Sequence, residues 1–261
     1  MNKIFKKNEV AFSIILIVIY VVGTSIAEAV SENLGIAKLV PAIFHVLFTV
    51  VVLAWISKNG LLEKYGLILP KYKLKKAWFF IPLLFVACSG LLGGFQINYS
   101  LSESVFFVIS MLCVGFLEEI IFRGFLFKAM AKNNVRAAII VSSITFGIGH
   151  IVNLLNGQDI FRTCMQIVFA IAVGFVLVGL FYKGKSLIPC IIFHSLNNSL
   201  SAFEKSNAQV AEMFSLTEMQ FEGIMVSILV LVLAIYGIFI MKKSGISEEK
   251  DGTKNYSDVC K

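Results

Sequence analysis

Long apolar runs at 10–27, 39–56, 77–94, 104–130, 136–155, 160–182, 186–203 and 223–241 divide this chain, with short polar stretches between them. A helix needs about 20 mostly apolar residues to cross a bilayer. The pattern therefore predicts an all-α, polytopic integral membrane bundle of about eight transmembrane helices. The polar stretch 57–76 carries Lys58, Lys64, Lys71, Lys73, Lys75 and Lys76, and Gly60, Gly66 and Pro70 break it into turns. The stretch 204–222 is acidic, with an amphipathic helix expected through Val210, Met213 and Phe214. A capping box is expected there from Ser215 and Glu218. The organisation read from this is two helices and a basic loop (1–76), a membrane domain (77–241) and a polar tail (242–261) expected to be disordered.

The first run is either a span or a signal peptide. Ala27-Glu28-Ala29 has the small-x-small look of a cleavage site. A run of about 18 residues, however, exceeds the 7–15 of a signal core.

Composition agrees with the pattern: 58% of residues are hydrophobic and only 15% charged, against about 25% charged in soluble domains. The net charge of +7 could suggest nucleic acid as a partner, but the placement of the bases argues otherwise. Of 23 Lys and Arg, 19 fall in alternate stretches that include both termini. The other set of stretches holds only Lys38, Arg162 and Lys205, and Arg123 lies inside a run. By the positive-inside rule both termini are cytosolic. A multi-pass protein of the cell membrane, in contact with lipid and not nucleic acid, is expected. Cys88, Cys113, Cys164, Cys190 and Cys260 are scattered singly, which indicates neither a disulfide framework nor a zinc ribbon.

Inside the fourth run, Glu118, Glu119 and Arg123 place three formal charges within six positions. Each costs roughly 2.5–3.5 kcal/mol near the middle of a membrane helix, so such groups face a bundle interior and commonly carry function. Glu119 and Arg123 at i, i+4 form a mutually neutralising pair. Glu118 points about 100° away and is left free for chemistry. A buried salt bridge with one spare acid is the plain structural alternative.

His150 and His194 lie at similar depth in the fifth and seventh runs, within about two helical turns of Glu118. Asn198 shares a helix face with His194. Asn197 and His45 read as interhelical hydrogen-bond partners, and either of the other histidines taken alone reads the same way.

Three motifs then stand in order: Glu118-Glu119-x-x-x-Arg123, Phe146-x-x-x-His150 and His194-x-x-x-Asn198. Together they resemble the CPBP family of CAAX proteases and bacteriocin-processing enzymes, which includes the type II CAAX prenyl endopeptidases. The resemblance covers the third to eighth runs. It implies an eight-helix intramembrane endopeptidase whose site opens to the cytosol. Glu118 is then the general base for a water that His150 also holds, His194 and Asn198 stabilise the oxyanion, and Glu119 and Arg123 brace the site.

A metal-free glutamate mechanism is favoured, and no metal site is assigned. If a zinc ion takes part, its ligands are Glu118, His150 and His194, one carboxylate and two imidazoles as in several catalytic zinc sites. The substrate class implied is a membrane-associated, prenylated or precursor peptide. A non-catalytic binding or immunity protein of the same fold is the alternative, and a proton-coupled transporter a third reading, less favoured because no repeat is seen. Oligomeric state is not legible.

Overall fold

The computed structural model describes residues 1–69 and 80–242. Among the described residues, six helices are long and apolar enough to cross a membrane. They are α2 (Glu9–Asn33), α3 (Leu39–Lys58), Leu101–Ala131, Val135–Leu154, α8 (Ile160–Gly184) and α11 (Glu218–Lys242). Among the described residues there is no strand, only one antiparallel bridge between Phe95 and Glu204.

Two further apolar runs hold shorter helices among the described residues. One is α4 (Ile81–Cys88), continued by a 3-10 turn at Ser89–Gly93. The other is α9 (Ile188–Leu200), extended by the turn Ser201–Phe203. Both carry a proline as the second residue, Pro82 or Pro189, whose missing N–H costs nothing in a first turn. Short helices α1 (Asn2–Lys7) and α10 (Ala208–Met213) complete the described elements, with α5 (Leu101–Glu118), α6 (Lys128–Ala131) and α7 (Val135–Ile148) inside the longer spans.

Polar residues at the ends of the apolar runs start the helices. The side chains of Asn8, Asn134 and Asp159 accept from backbone amides three positions on. Ser100 and Glu103 cap α5 reciprocally. For α11 the reciprocal pair is Thr217 and Gln220, not Ser215 and Glu218. Glu218 turns instead to the Asn207 amide and the Ser206 hydroxyl, and Ser215 sits at a positive φ of 55°. The tail from 243 and the bases Lys71, Lys73, Lys75 and Lys76 lie outside the described residues.

The core gathers Leu117, Ile120, Ile121, Leu177 and Val178, each at 0% exposure. Leu231, Ile235 and Ile238 of α11 are more than half exposed, as expected for a lipid-facing side of a membrane bundle. Helices meet closely at glycines. A Cβ on Gly115 would lie 2.6 Å from the Ser195 backbone nitrogen, and one on Gly147 would lie 3.0 Å from the Ile167 carbonyl oxygen. Small residues at such crossings let backbones approach.

Contacts sort the helix ends into two sets. At one, Lys64 and Lys132 both bridge Glu9, Trp55 donates to Asn2, and the Leu187 amide donates to the Gly66 carbonyl. At the other, Lys38 bridges Glu28, Ala37 donates to Glu103, Asn98 donates to the Ala202 and Glu204 carbonyls, and Arg162 pairs with Glu222. Although short, α9 runs from Leu187 in the first set towards Ala202 in the second.

Candidate active site

The helix that carries the paired glutamates changes pitch where they occur. After α5 ends at Glu118, residues Glu119–Phe127 form a π-helix before α6 resumes. Such i→i+5 segments are rare and cluster at functional sites. The wider turn narrows the angle between successive side chains. Glu118 and Glu119 thereby reach opposite nitrogens of one imidazole.

That imidazole is His194 of α9. Its Nδ1 lies 2.8 Å from Glu119 Oε1, and its Nε2 lies 3.3 Å from Glu118 Oε2. Glu119 also meets Arg123 Nη1 at 3.1 Å, with both side chains fully buried. The guanidinium nitrogens lack aligned hydrogen bonds, so this is a charge contact. The guanidinium carbon stands 4.0 Å from the centroid of the Phe146 ring, adding a cation–π contact. The expected pairing of Glu119 with Arg123 is thus present and extends to His194. A neutral imidazole donates through only one nitrogen. With Nδ1–H given to Glu119, an attractive contact to Glu118 needs one further proton, on His194 or on Glu118.

Glu118 has a second partner that the motifs do not contain. The Tyr20 hydroxyl, on α2, donates to Glu118 Oε1 at 2.6 Å. Among the described residues no donor meets Glu118 Oε2 with hydrogen-bond geometry, and its neighbour there is His194 Nε2 at 3.3 Å. A buried carboxylate oxygen without a donor calls for an explanation in function or in bound solvent. The sequence offered one signal for Tyr20: it is the only tyrosine in the first apolar run and lies near its middle.

Glu118 and Tyr20 line a cavity of about 1030 Å³, together with His150, Asn198, Phe146 and Phe122. His150 falls on the 3-10 turn Gly149–Leu154 that extends α7, and its Nδ1 lies 3.2 Å from the Phe146 carbonyl oxygen. A carbonyl can only accept, so Nδ1 carries the proton and Nε2 is an acceptor. The Phe146 ring stands edge-on to His150 and His194, with centroids 5.3 and 5.6 Å away. Asn198 Oδ1 accepts from the Asn197 amide at 3.3 Å, which leaves the Asn198 N–H groups as the donors it can offer. Asn197 therefore bonds its neighbour and not another helix. His194 is not part of the cavity wall and sits behind Glu118.

His45 bridges the hydroxyls of Thr24 and Ser110, each at 2.9 Å, which is the interhelical role expected of it. The conditional zinc set was Glu118, His150 and His194. Among the described residues, no three His, Cys, Asp or Glu side chains are grouped to hold a metal ion. Both His194 nitrogens are directed at carboxylates, so this arrangement does not fit such a centre.

At one end of the bundle the cavity lining reaches Glu28, Glu32, Lys38, Tyr99, Glu103, Asn156 and Gln158, whereas it includes no described residue of the helix ends opposite, so its mouth is at the first end. These mouth residues belong to the helix ends that the Lys and Arg distribution assigns to the non-cytosolic side. A cytosolic opening and cytosolic termini therefore do not both hold in this structure.

A comparison with curated proteins finds no match. Residues 100–200, which contain all three motifs, match the family described as Rce1-like, Type II CAAX prenyl endopeptidase Rce1-like. Glu118, Phe146, His150 and Asn198 of the three motifs line one cavity in a helical membrane bundle, with Glu119, Arg123 and His194 behind Glu118, and over residues 100–200 the chain is similar to the type II CAAX prenyl endopeptidase family.

Proposed function

We propose that this protein is a multi-pass intramembrane endopeptidase of the cell membrane that cleaves a membrane-associated or precursor peptide by a metal-free, glutamate-activated water. The observation that carries the reading is the state of Glu118. Its carboxylate lines a cavity large enough for an extended peptide and is held from two sides, through Oε1 by the Tyr20 hydroxyl and at Oε2 by the His194 imidazole 3.3 Å away.

In this reading the water lies between Glu118 and the acceptor Nε2 of His150. Glu118 takes one proton as the water oxygen bonds to the scissile carbonyl carbon. The oxyanion receives an N–H from Asn198, and fixed donors of this kind act strongly in a site shielded from bulk solvent. Collapse breaks the C–N bond, and the proton held on Glu118 passes to the leaving nitrogen. His194 orients Glu118 from behind, a change from the oxyanion role that the resemblance implies. Glu119 and Arg123 hold His194 in turn.

The test is cleavage of a library of prenylated and unprenylated peptides by the detergent-purified chain, read by mass spectrometry. Loss of general-base function costs about 10²–10⁴-fold, so Glu118→Gln is expected to lose at least that while remaining folded, and a zinc chelator is expected to have no effect. Equal cleavage by Glu118→Gln overturns the mechanism. A wild type that cuts nothing but keeps a cellular phenotype also present in Glu118→Gln turns the reading to a binding or immunity protein.

A further inference from the structure

Charge is distributed unequally between the two ends of the bundle. The described residues at the end opposite the cavity mouth include Lys3, Lys6, Lys7, Lys58, Lys64, Lys128, Lys132, Arg136, Lys183, Lys185 and Lys242, against the acids Glu9 and Glu63. At the mouth end the bases are Lys38, Arg162 and Lys205, and the acids are Glu28, Glu32, Glu103, Asp159, Glu204, Glu212, Glu218 and Glu222. The bases at the mouth end are engaged: Lys38 by Glu28, Arg162 by Glu218 and Glu222, and Lys205 by Gln209. Lys and Arg in short loops set the orientation of a polytopic protein, with the base-rich side cytosolic.

The mouth itself carries Glu28, Glu32 and Glu103, with Lys38 as its one cation among the described residues. Glu118 lies deeper in the same cavity. A cleft with low-dielectric walls and charge of one sign concentrates ligands of the other sign. Glu32 is exposed, and among the described residues its carboxylate has no hydrogen bond or ion pair.

We infer that the cavity takes its substrate from the non-cytosolic side of the membrane, and that the substrate is an extended peptide segment bearing Lys or Arg. This rests on the endopeptidase reading, and the chemistry it names is that of a secreted peptide or the outward-facing segment of a membrane protein. A cytosolic chain would have to cross the bilayer to reach Glu118.

The experiment uses membrane vesicles of both orientations containing the full chain, with membrane-impermeant fluorogenic peptides of equal length that carry either Lys and Arg or Asp and Glu. Cleavage is expected in right-side-out vesicles without detergent, and in inside-out vesicles only after detergent. The basic peptide is expected to be cut about tenfold faster at low ionic strength, a preference that shrinks with salt. Glu32→Gln is expected to reduce that preference several-fold while a neutral peptide is cut at the wild-type rate. Cleavage confined to inside-out vesicles, or equal rates for both peptides, overturns the inference. If nothing is cut even in detergent, the endopeptidase reading fails separately. Access is then decided by an impermeant maleimide on intact cells, with unsubstituted protein as the control: Glu32→Cys labelled and Asn59→Cys protected upholds the outward mouth, and the reverse refutes it.

Discussion

Tyr20 and Glu118, 98 positions apart in sequence, are joined by a 2.6 Å hydrogen bond from the phenol to the carboxylate. It ties α2, which precedes the family-matched segment, to the centre of the candidate site. A hydrogen bond to a charged group is worth about 1.5–3 kcal/mol. Tyr20→Phe is therefore expected to lower kcat by about ten- to a hundredfold with little change in KM. In the Glu118→Gln background the same change is expected to have no further effect. Single and double variants measured together check this, and additive losses would mean that Tyr20 acts independently of Glu118.

Removing either member of the buried pair Glu119 and Arg123 strands the other. Such a loss costs about 3–5 kcal/mol when a buried charge is left uncompensated. Arg123→Met and Glu119→Leu singly are expected to lower the thermal midpoint in detergent strongly. The double replacement is expected to recover much of that stability without recovering activity, because His194 loses its partner.

Gly115→Ala places a methyl group against Ser195, within 2.6 Å of its backbone nitrogen. The α5 and α9 backbones must separate to admit it, and overpacking of this kind costs about 1–3 kcal/mol. Because Glu118 and His194 each lie within a turn of that contact, activity is expected to fall more than the stability loss alone explains. Thermal midpoint and cleavage rate of the same preparation check the two effects.

Glu204, in the loop after α9, packs against Gly90, where a Cβ would meet its carboxylate. Burial first, then the nearby Glu222, raises its carboxyl above the ordinary value of 4.5. The folded protein thus binds this proton more tightly than the unfolded chain. The resulting stabilisation is full below pH 4.5 and is lost as pH rises through the raised value. Glu204→Gln is expected to be more stable than the wild type near neutrality, with the difference shrinking on acidification. Thermal midpoints of both proteins across pH 4–8 check the sign.

The helical membrane class was legible because lipid demands long apolar helices whose backbone bonds close internally, and hydropathy records that demand directly. The polar groups of the site were legible for the same reason, since Glu118, Glu119, Arg123, His150 and His194 stand out where charge is costly. Helix starts at Asn8, Ser100, Asn134 and Asp159 depend on neighbours a few positions away. The true cap of α11 differed because Glu218 found long-range partners at Asn207 and Ser206.

The sequence by itself therefore determined the helical membrane architecture, the inventory of buried polar side chains and the division of bases between the two ends. Only the tertiary structure decided that the chain widens into a π-helix at Glu119, that His194 sits between two carboxylates off the cavity wall, that Tyr20 holds Glu118, and that the cavity opens at the acidic end. Hydropathy and capping are local or one-dimensional quantities. Which side chains meet across helices, and where the space between those helices opens, depends on packing among segments up to 98 positions apart.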